Sequence, residues 1–100
     1  MTDATSRITP PSVHMNGSSR KDMLKGFTEA LDAVRKAQDL LAETAPHPRD
    51  YYIQIGGDLA YRVATKQHTA RYLALNNIAE EMEALALSVH EQRSPFRENA

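Results

Sequence analysis

The sequence predicts an all-α fold, a long antiparallel helical hairpin with an extended N-terminal arm, and three observations support it. Apolar residues recur at steps of three and four in two long segments. Between those segments the chain is interrupted by Pro46, Pro48, Gly56 and Gly57, which predict a connection rather than a continuous helix. The length of 100 residues is that of one small domain, whose marginal core favours self-association.

The N-terminal segment and the first helix follow in chain order. Residues 1–12 are polar and contain a proline pair, which predicts a flexible arm, and residues 13–93 then form the hairpin domain. Ser19, with Asp22 three positions on, predicts the start of a helix over about 19–44, and Pro46 ends it. Its apolar stripe is Leu24, Phe27, Leu31, Val34 and Leu41, with Gln38 at the remaining step.

The second helix is predicted over about 58–92, with Asp58 as N-cap after the glycines and a tail over 94–100 beyond it. Pro95 prevents a longer helix. One seam, polar in its first half and apolar in its second, runs along Tyr61, Ala64, His68, Arg71, Leu75, Ile78, Met82, Leu85 and Val89. A second stripe consists of Leu59, Val63, Ala70, Leu73, Ala84 and Leu87. Together with the seam it makes an apolar face that is too wide for one partner helix to cover.

The unequal helix lengths predict an uncovered end. At about 1.5 Å per residue the helices are roughly 39 Å and roughly 52 Å long. Folding them together around the connection sets Val34 near His68 and Leu24 near Ile78, after which the first helix runs out. The residues then left without cover are Met82, Leu85, Leu87 and Val89. We expect the arm, with Ile8, Val13 and Met15, and a second subunit to cover them, which makes the protein a homo-oligomer.

Composition excludes several functional classes. Twelve Lys and Arg against thirteen Asp and Glu give a net charge of -1, which excludes a general nucleic-acid coat or a membrane-surface protein. Basic residues are interspersed with acidic ones, so sequence-specific DNA binding is not favoured either. The chain has no cysteine, no membrane span and a polar N-terminus. We therefore expect a cytoplasmic location.

No catalytic or metal motif is present. No two of the four histidines lie within one helical turn, so the spacing of a zinc site is missing. The glycine-rich phosphate loops are also absent, and Gly56 with Gly57 is read as a turn before a helix. Ser18 and Ser19 have no orienting acid at a recognisable spacing. The sequence predicts a non-enzymatic protein with no cofactor and no metal.

Two polar residues in the seam are the first candidates for a binding site. His68 and Arg71 occupy positions where apolar residues would stabilise the helix pair. A buried arginine needs an anionic partner. That partner is either an internal carboxylate, from Asp50, Asp39 or Glu43, or a ligand phosphate, which matches the planar fork of arginine.

The connection between the helices supplies the other candidates. Arg49 is a cation, Asp50 a carboxylate, and Tyr51 and Tyr52 offer aromatic faces that can stack on a base. The alternative is that one tyrosine anchors the connection and the other lies at a subunit interface. A pocket for a small anionic ligand would then comprise Arg49, Asp50, Tyr51, Tyr52, His68 and Arg71.

Three strings of residues carry a resemblance to known sequences: His14 to Ser19, Pro46 to Tyr52, and His68 with Arg71 in a long helix. Over residues 13–92 the chain resembles a group of small proteins encoded by tailed bacteriophages and prophages. The resemblance implies an accessory phage product that works in the host cytoplasm. Small oligomeric phage proteins include inhibitors of bacterial defence, of which some sequester nucleotide signals and others block a defence protein directly.

The leading hypothesis is therefore a non-enzymatic phage accessory protein, of the anti-defence type, that binds or sequesters a nucleotide-type ligand. The alternative is an interaction module or inhibitor that binds a host defence protein through Met82, Leu85, Leu87 and Val89. A further alternative is a structural phage component.

Overall fold

The computed structural model describes residues 3–92, and this part of the chain is helical, with no strand. The predicted all-α class is confirmed. Helix α1 spans Arg20–Ala42 and helix α2 spans Gly57–Glu91, where the sequence predicts 19–44 and 58–92. Single 3-10 turns lie at Ala4–Ser6 in the arm and at Pro48–Asp50 in the connection. The predicted tail over 94–100 lies outside the described residues.

Local signals explain how α1 begins. The Ser19 side chain accepts a hydrogen bond from the backbone N–H of Asp22 at 3.0 Å, which satisfies one of the donors left free at a helix start. The Asp22 carboxylate in the first turn adds a favourable interaction with the helix dipole. At the other end Glu43 is the C-cap, and Pro46 stands three residues further on.

Helix α2 begins in a different way from the one predicted. Gly56, with φ of 72° in the left-handed region, is the N-cap, and Asp58 lies inside the first turn instead of capping the helix. Glycine adopts this backbone conformation without the steric cost that a side chain adds. Asp58 therefore acts on the helix dipole rather than on a free backbone N–H.

Side-chain hydrogen bonds join α1 to the C-terminal half of α2. Arg20 Nη2 donates to the backbone oxygen of His90 at 2.8 Å, and further along α1 Arg35 Nη1 donates to Asn76 Oδ1 at 3.0 Å. The predicted pairing of Val34 with His68 is wrong, because Val34 lies next to Arg35, opposite a later part of α2. The connection over residues 43–56 accounts for the shift, since its Tyr51 ring packs on Tyr61 in the first turns of α2.

This register covers the end of α2 that the sequence predicts to be free. Val89 is fully buried, which contradicts its expected role at an uncovered interface. Met82 and Leu85 are partly buried, and Leu87 remains 53% exposed. The reason is that α1 reaches His90 and that the arm lies on the same half of α2. These four residues therefore do not form the continuous exposed interface that the sequence predicts.

The arm is held against α2 by polar contacts at two points. Arg7 Nε pairs with Glu81 Oε2 at 2.9 Å. Near the end of α2 the Gln92 side chain accepts from the backbone N–H of Val13 and donates to the backbone oxygen of Pro11, both at 2.7 Å. Ala4, in the arm's 3-10 turn, is buried. These contacts agree with the expectation that the arm lies over this end of α2, but Met15, one of the three residues expected to cover it, is 67% exposed.

A polar cluster crosses the interface between the helices. Gln38, which the sequence places in the apolar stripe of α1, is 3% exposed. Its amide nitrogen donates to Asn76 Oδ1 at 3.3 Å, and its oxygen accepts from Arg35 Nη1 at 3.0 Å. Asn76 in turn donates to Glu80 Oε1 at 3.1 Å. Because these bonds replace those lost to water, the buried amide is tolerated.

Candidate binding cleft

A cleft of about 600 Å³ opens where the end of α1, the connection and the first half of α2 meet. Its volume lies within the range of about 300 to 1,000 Å³ that is usual for small-molecule sites. Four of the six predicted site residues, from segments far apart in sequence, meet here. The lining residues are Leu41, Thr44, Ala45, Pro46, Asp50, Tyr51, Gln54, Ala64, Gln67, His68 and Arg71.

The local structure of the connection places Asp50 and Tyr51 at the cleft. His47 caps the short 3-10 turn, since its Nδ1 accepts from the backbone N–H of Arg49 at 3.2 Å. Pro48 provides the first residue of that turn, where its missing N–H costs nothing. The backbone oxygen of Pro48 then accepts from Tyr51 at 3.0 Å and from Tyr52 at 3.1 Å. These bonds fix the path of the backbone at Tyr51 and Tyr52, the two residues that follow the turn.

Tyr51 anchors the connection on α2. Its ring centroid lies 6.0 Å from that of Tyr61, with the ring planes tilted by 58°, a favourable arrangement for two aromatic rings. The backbone oxygen of Tyr51 also lies against Gly57, so closely that no side chain fits between them. Tyr51 is partly buried as a result, and it lines the cleft from a fixed position.

Arg71 is exposed, which contradicts the premise that it is buried in the helix seam. This half of the seam faces the cleft, whose other lining residues come from the connection and from the last turn of α1. Within residues 3–92 no ion pair joins Arg71 to Asp39, Glu43 or Asp50, the internal partners considered from the sequence. His68, one turn before Arg71, is partly buried and lines the same wall of the cleft.

Arg49 and Tyr52 do not line the cleft, in contrast to the prediction. Both are exposed, and Tyr52 retains 74% of its accessible surface. The tyrosine pair therefore cannot form a sandwich around a base, since only Tyr51 faces the cleft. The 3-10 turn is the cause, because it directs consecutive side chains to different sides of the connection.

Polar residues that the sequence reasoning missed complete the lining. Gln67 precedes Arg71 by four positions and so lies on the same face of α2, a spacing visible in the sequence. Thr44 and Gln54 have no such spacing in the sequence, because the path of the connection brings them to the cleft. With these groups the cleft offers amide and hydroxyl contacts beside one cation, Arg71, and one carboxylate, Asp50.

This chemistry fits a ligand with both an anionic group and hydrogen-bond donors. The Arg71 guanidinium offers a planar fork of donors to a phosphate or carboxylate. The Asp50 carboxylate accepts bonds only, so it selects a donor on the ligand. Among the described residues there is no group of three or more histidine and acidic side chains placed to hold a metal ion.

No family model, curated protein or solved structure matches this chain. Neither helix in the described part of the chain is long and apolar enough to cross a membrane.

Proposed function

We propose that this chain is a non-enzymatic binding protein whose cleft takes a small anionic ligand of the nucleotide type. The observation that carries the proposal is the meeting of Asp50 and Tyr51, from the connection, with His68 and Arg71, from α2, in one cleft of about 600 Å³. An ion pair within residues 3–92 does not occupy Arg71, so its donors are available to a ligand.

Each group has a role in this proposal. Arg71 binds the phosphate through its paired N–H donors. Tyr51, held by Tyr61, offers a ring edge and a hydroxyl to the base or sugar. Asp50 accepts a hydrogen bond from an amino, imino or hydroxyl group, and His68 offers a second polar contact on the wall beside Arg71.

The wider setting of the proposal comes from the sequence. We take the two helices as an antiparallel hairpin that self-associates in the cytoplasm, in keeping with contacts that join the start of α1 to the end of α2. The resemblance to phage proteins suggests an accessory product that sequesters a nucleotide signal of a bacterial defence system. An interaction module acting on a host protein is the alternative, and it predicts an empty cleft.

The test is native mass spectrometry of the purified protein with a panel of linear and cyclic nucleotides, followed by calorimetric titration with any nucleotide retained. We expect one nucleotide bound per chain. Arg71→Ala is expected to weaken binding by about 10- to 100-fold, the usual effect of losing a charged hydrogen-bond donor.

Arg49→Ala is the matched control, because it removes the same charge from the same region without touching the cleft. It is expected to leave the affinity unchanged. Equal affinity of Arg71→Ala and the unmodified protein would refute the proposed site. Retention of no nucleotide from the panel would favour the interaction module.

A further inference from the structure

The second stripe of α2 is an exposed row on the side of the helix away from α1. Leu59 is 66% exposed, Val63 44%, Leu73 52% and Leu87 53%. Filling the gaps with Lys66, Asn77 and Glu80 gives an unbroken alternation of four and three residues from 59 to 87. Such a row is the pattern by which one helix packs along another over several turns. The described chain leaves the part of this row from Leu59 to Asn77 facing solvent, and the arm lies beside Ala84 and Leu87.

Few apolar residues of the described chain are buried. Within residues 3–92 the buried apolar residues are Ala4, Ala79 and Val89. These three residues cannot make a compact core by themselves, so the exposed row leaves apolar area that a partner can bury.

The charges of α2 indicate what fits on this row. Residues 59–79 contain Arg62, Lys66 and Arg71 and no acidic residue. Residues 80–91 contain Glu80, Glu81, Glu83 and Glu91 and no lysine or arginine. In an antiparallel pair in which Leu59 lies opposite Ala84, the outer part of each basic half, with Arg62 and Lys66, comes beside the start of the acidic half at Glu80 and Glu81. A parallel neighbour would place like charges together, which is unfavourable.

The shape of the row also fits a second copy that runs in the opposite direction. At its acidic end the arm and α2 enclose a groove of about 280 Å³ between Ala4 on one side and Ala84 with Leu87 on the other. At its basic end Leu59 projects into solvent, and the exposed Ile53 and Ile55 stand in the turn just before α2. Antiparallel pairing about a two-fold axis between Ala70 and Leu73 brings each Leu59 opposite Ala84 of the second copy, at this groove.

We propose that two copies of this chain form an antiparallel dimer through the second stripe of α2, with the N-terminal arm completing the groove that receives Leu59. This interface lies on a different side of α2 from the seam, which is the face through which the sequence predicts self-association. The arm then has a second function besides covering the end of α2. In this register Lys66 of one copy lies within one helical turn of Glu80 of the other.

The first test is the molecular mass of the full chain by sedimentation equilibrium between about 1 and 100 µM. We expect the mass of two chains, each of 11.2 kDa. Leu59→Glu is expected to raise the dissociation constant of the dimer by roughly 100-fold, because it puts a charge into an apolar contact at two equivalent places. Its helix content is expected to stay unchanged, since Leu59 is exposed within one chain.

Thr65→Glu is the matched control, with the same charge at an exposed position of α2 that lies off the row. It is expected to stay dimeric. A second pair of variants tests direction: Lys66→Glu and Glu80→Lys each weaken the dimer, and the double variant restores it. A one-chain mass for the unmodified protein at 100 µM would overturn the proposal. Equal association of Leu59→Glu and Thr65→Glu, or no restoration in the double variant, would overturn the interface.

Discussion

Gly57 lies where the connection contacts α2 beside the cleft. Replacing it therefore tests both the packing of the connection and the candidate site. A β-carbon built on Gly57 collides with the backbone oxygen of Tyr51 and lies 3.0 Å from the Tyr51 carbonyl carbon and 3.3 Å from Tyr52 Cα. All three neighbours are backbone atoms, which cannot rotate away as a side chain can. Gly57→Ala therefore has to push the connection away from α2.

The expected cost follows from that geometry. Forcing an extra carbon into a closely packed site costs about 1–3 kcal/mol. The lower entropy of alanine in the unfolded chain returns about 0.5–1 kcal/mol. The net loss is about 0–2.5 kcal/mol. Each kcal/mol corresponds to about 4–8 °C in melting temperature for a domain of this size. Since Tyr51 lines the cleft, ligand affinity is expected to fall as well.

Gly26→Ala is the control, because no atom of the described residues outside its own helix backbone lies within 4 Å of a β-carbon built there. Inside α1 this change is expected to stabilise the protein by about 0.5–1 kcal/mol. Urea unfolding followed by circular dichroism, at one protein concentration, measures both variants. If Gly57→Ala were as stable as Gly26→Ala, the close approach of Tyr51 to α2 would be wrong.

Three further substitutions test the packing. Val89→Ala removes two buried carbons and is expected to cost about 2–3 kcal/mol in urea unfolding; a cost below about 0.5 kcal/mol would mean that this end of α2 is uncovered after all. Asn76→Ala leaves the buried Gln38 amide without its acceptor and is expected to cost about 1–3 kcal/mol, whereas an unchanged free energy of unfolding would speak against the polar cluster. Gln92→Ala removes both side-chain bonds to residues 11–13, so hydrogen exchange by mass spectrometry should show faster exchange in the arm; equal rates would argue against this attachment.

Local features of the structure could be predicted from the sequence because they depend on neighbouring residues. The apolar periodicity predicts helices, and the all-α class follows from it. Ser19 is positioned to accept the N–H of Asp22, and it does so. Pro46 and Gly56 favour a break between the helices because of their own backbone chemistry, whatever the rest of the chain does, whereas Gly57 is the first residue of α2.

The register of the helices could not be predicted in this way. A heptad seam is nearly unchanged by a shift of seven residues, so several pairings of α1 with α2 satisfy the same pattern. The choice depends on the path of the connection, which the contact of Tyr51 with Tyr61 fixes. That choice buries Val89 and leaves Arg71 exposed, which reverses two expectations at once.

For the candidate site, the sequence by itself determined which side chains have the chemistry to bind an anionic ligand, and Asp50, Tyr51, His68 and Arg71 do meet in one cleft. Only the tertiary structure decided that Arg49 and Tyr52 face elsewhere, and that Thr44, Gln54 and Gln67 join the lining. The physical reason is that residue type sets what a side chain can bind. Where it points depends on long-range packing, here on a 3-10 turn held against α2.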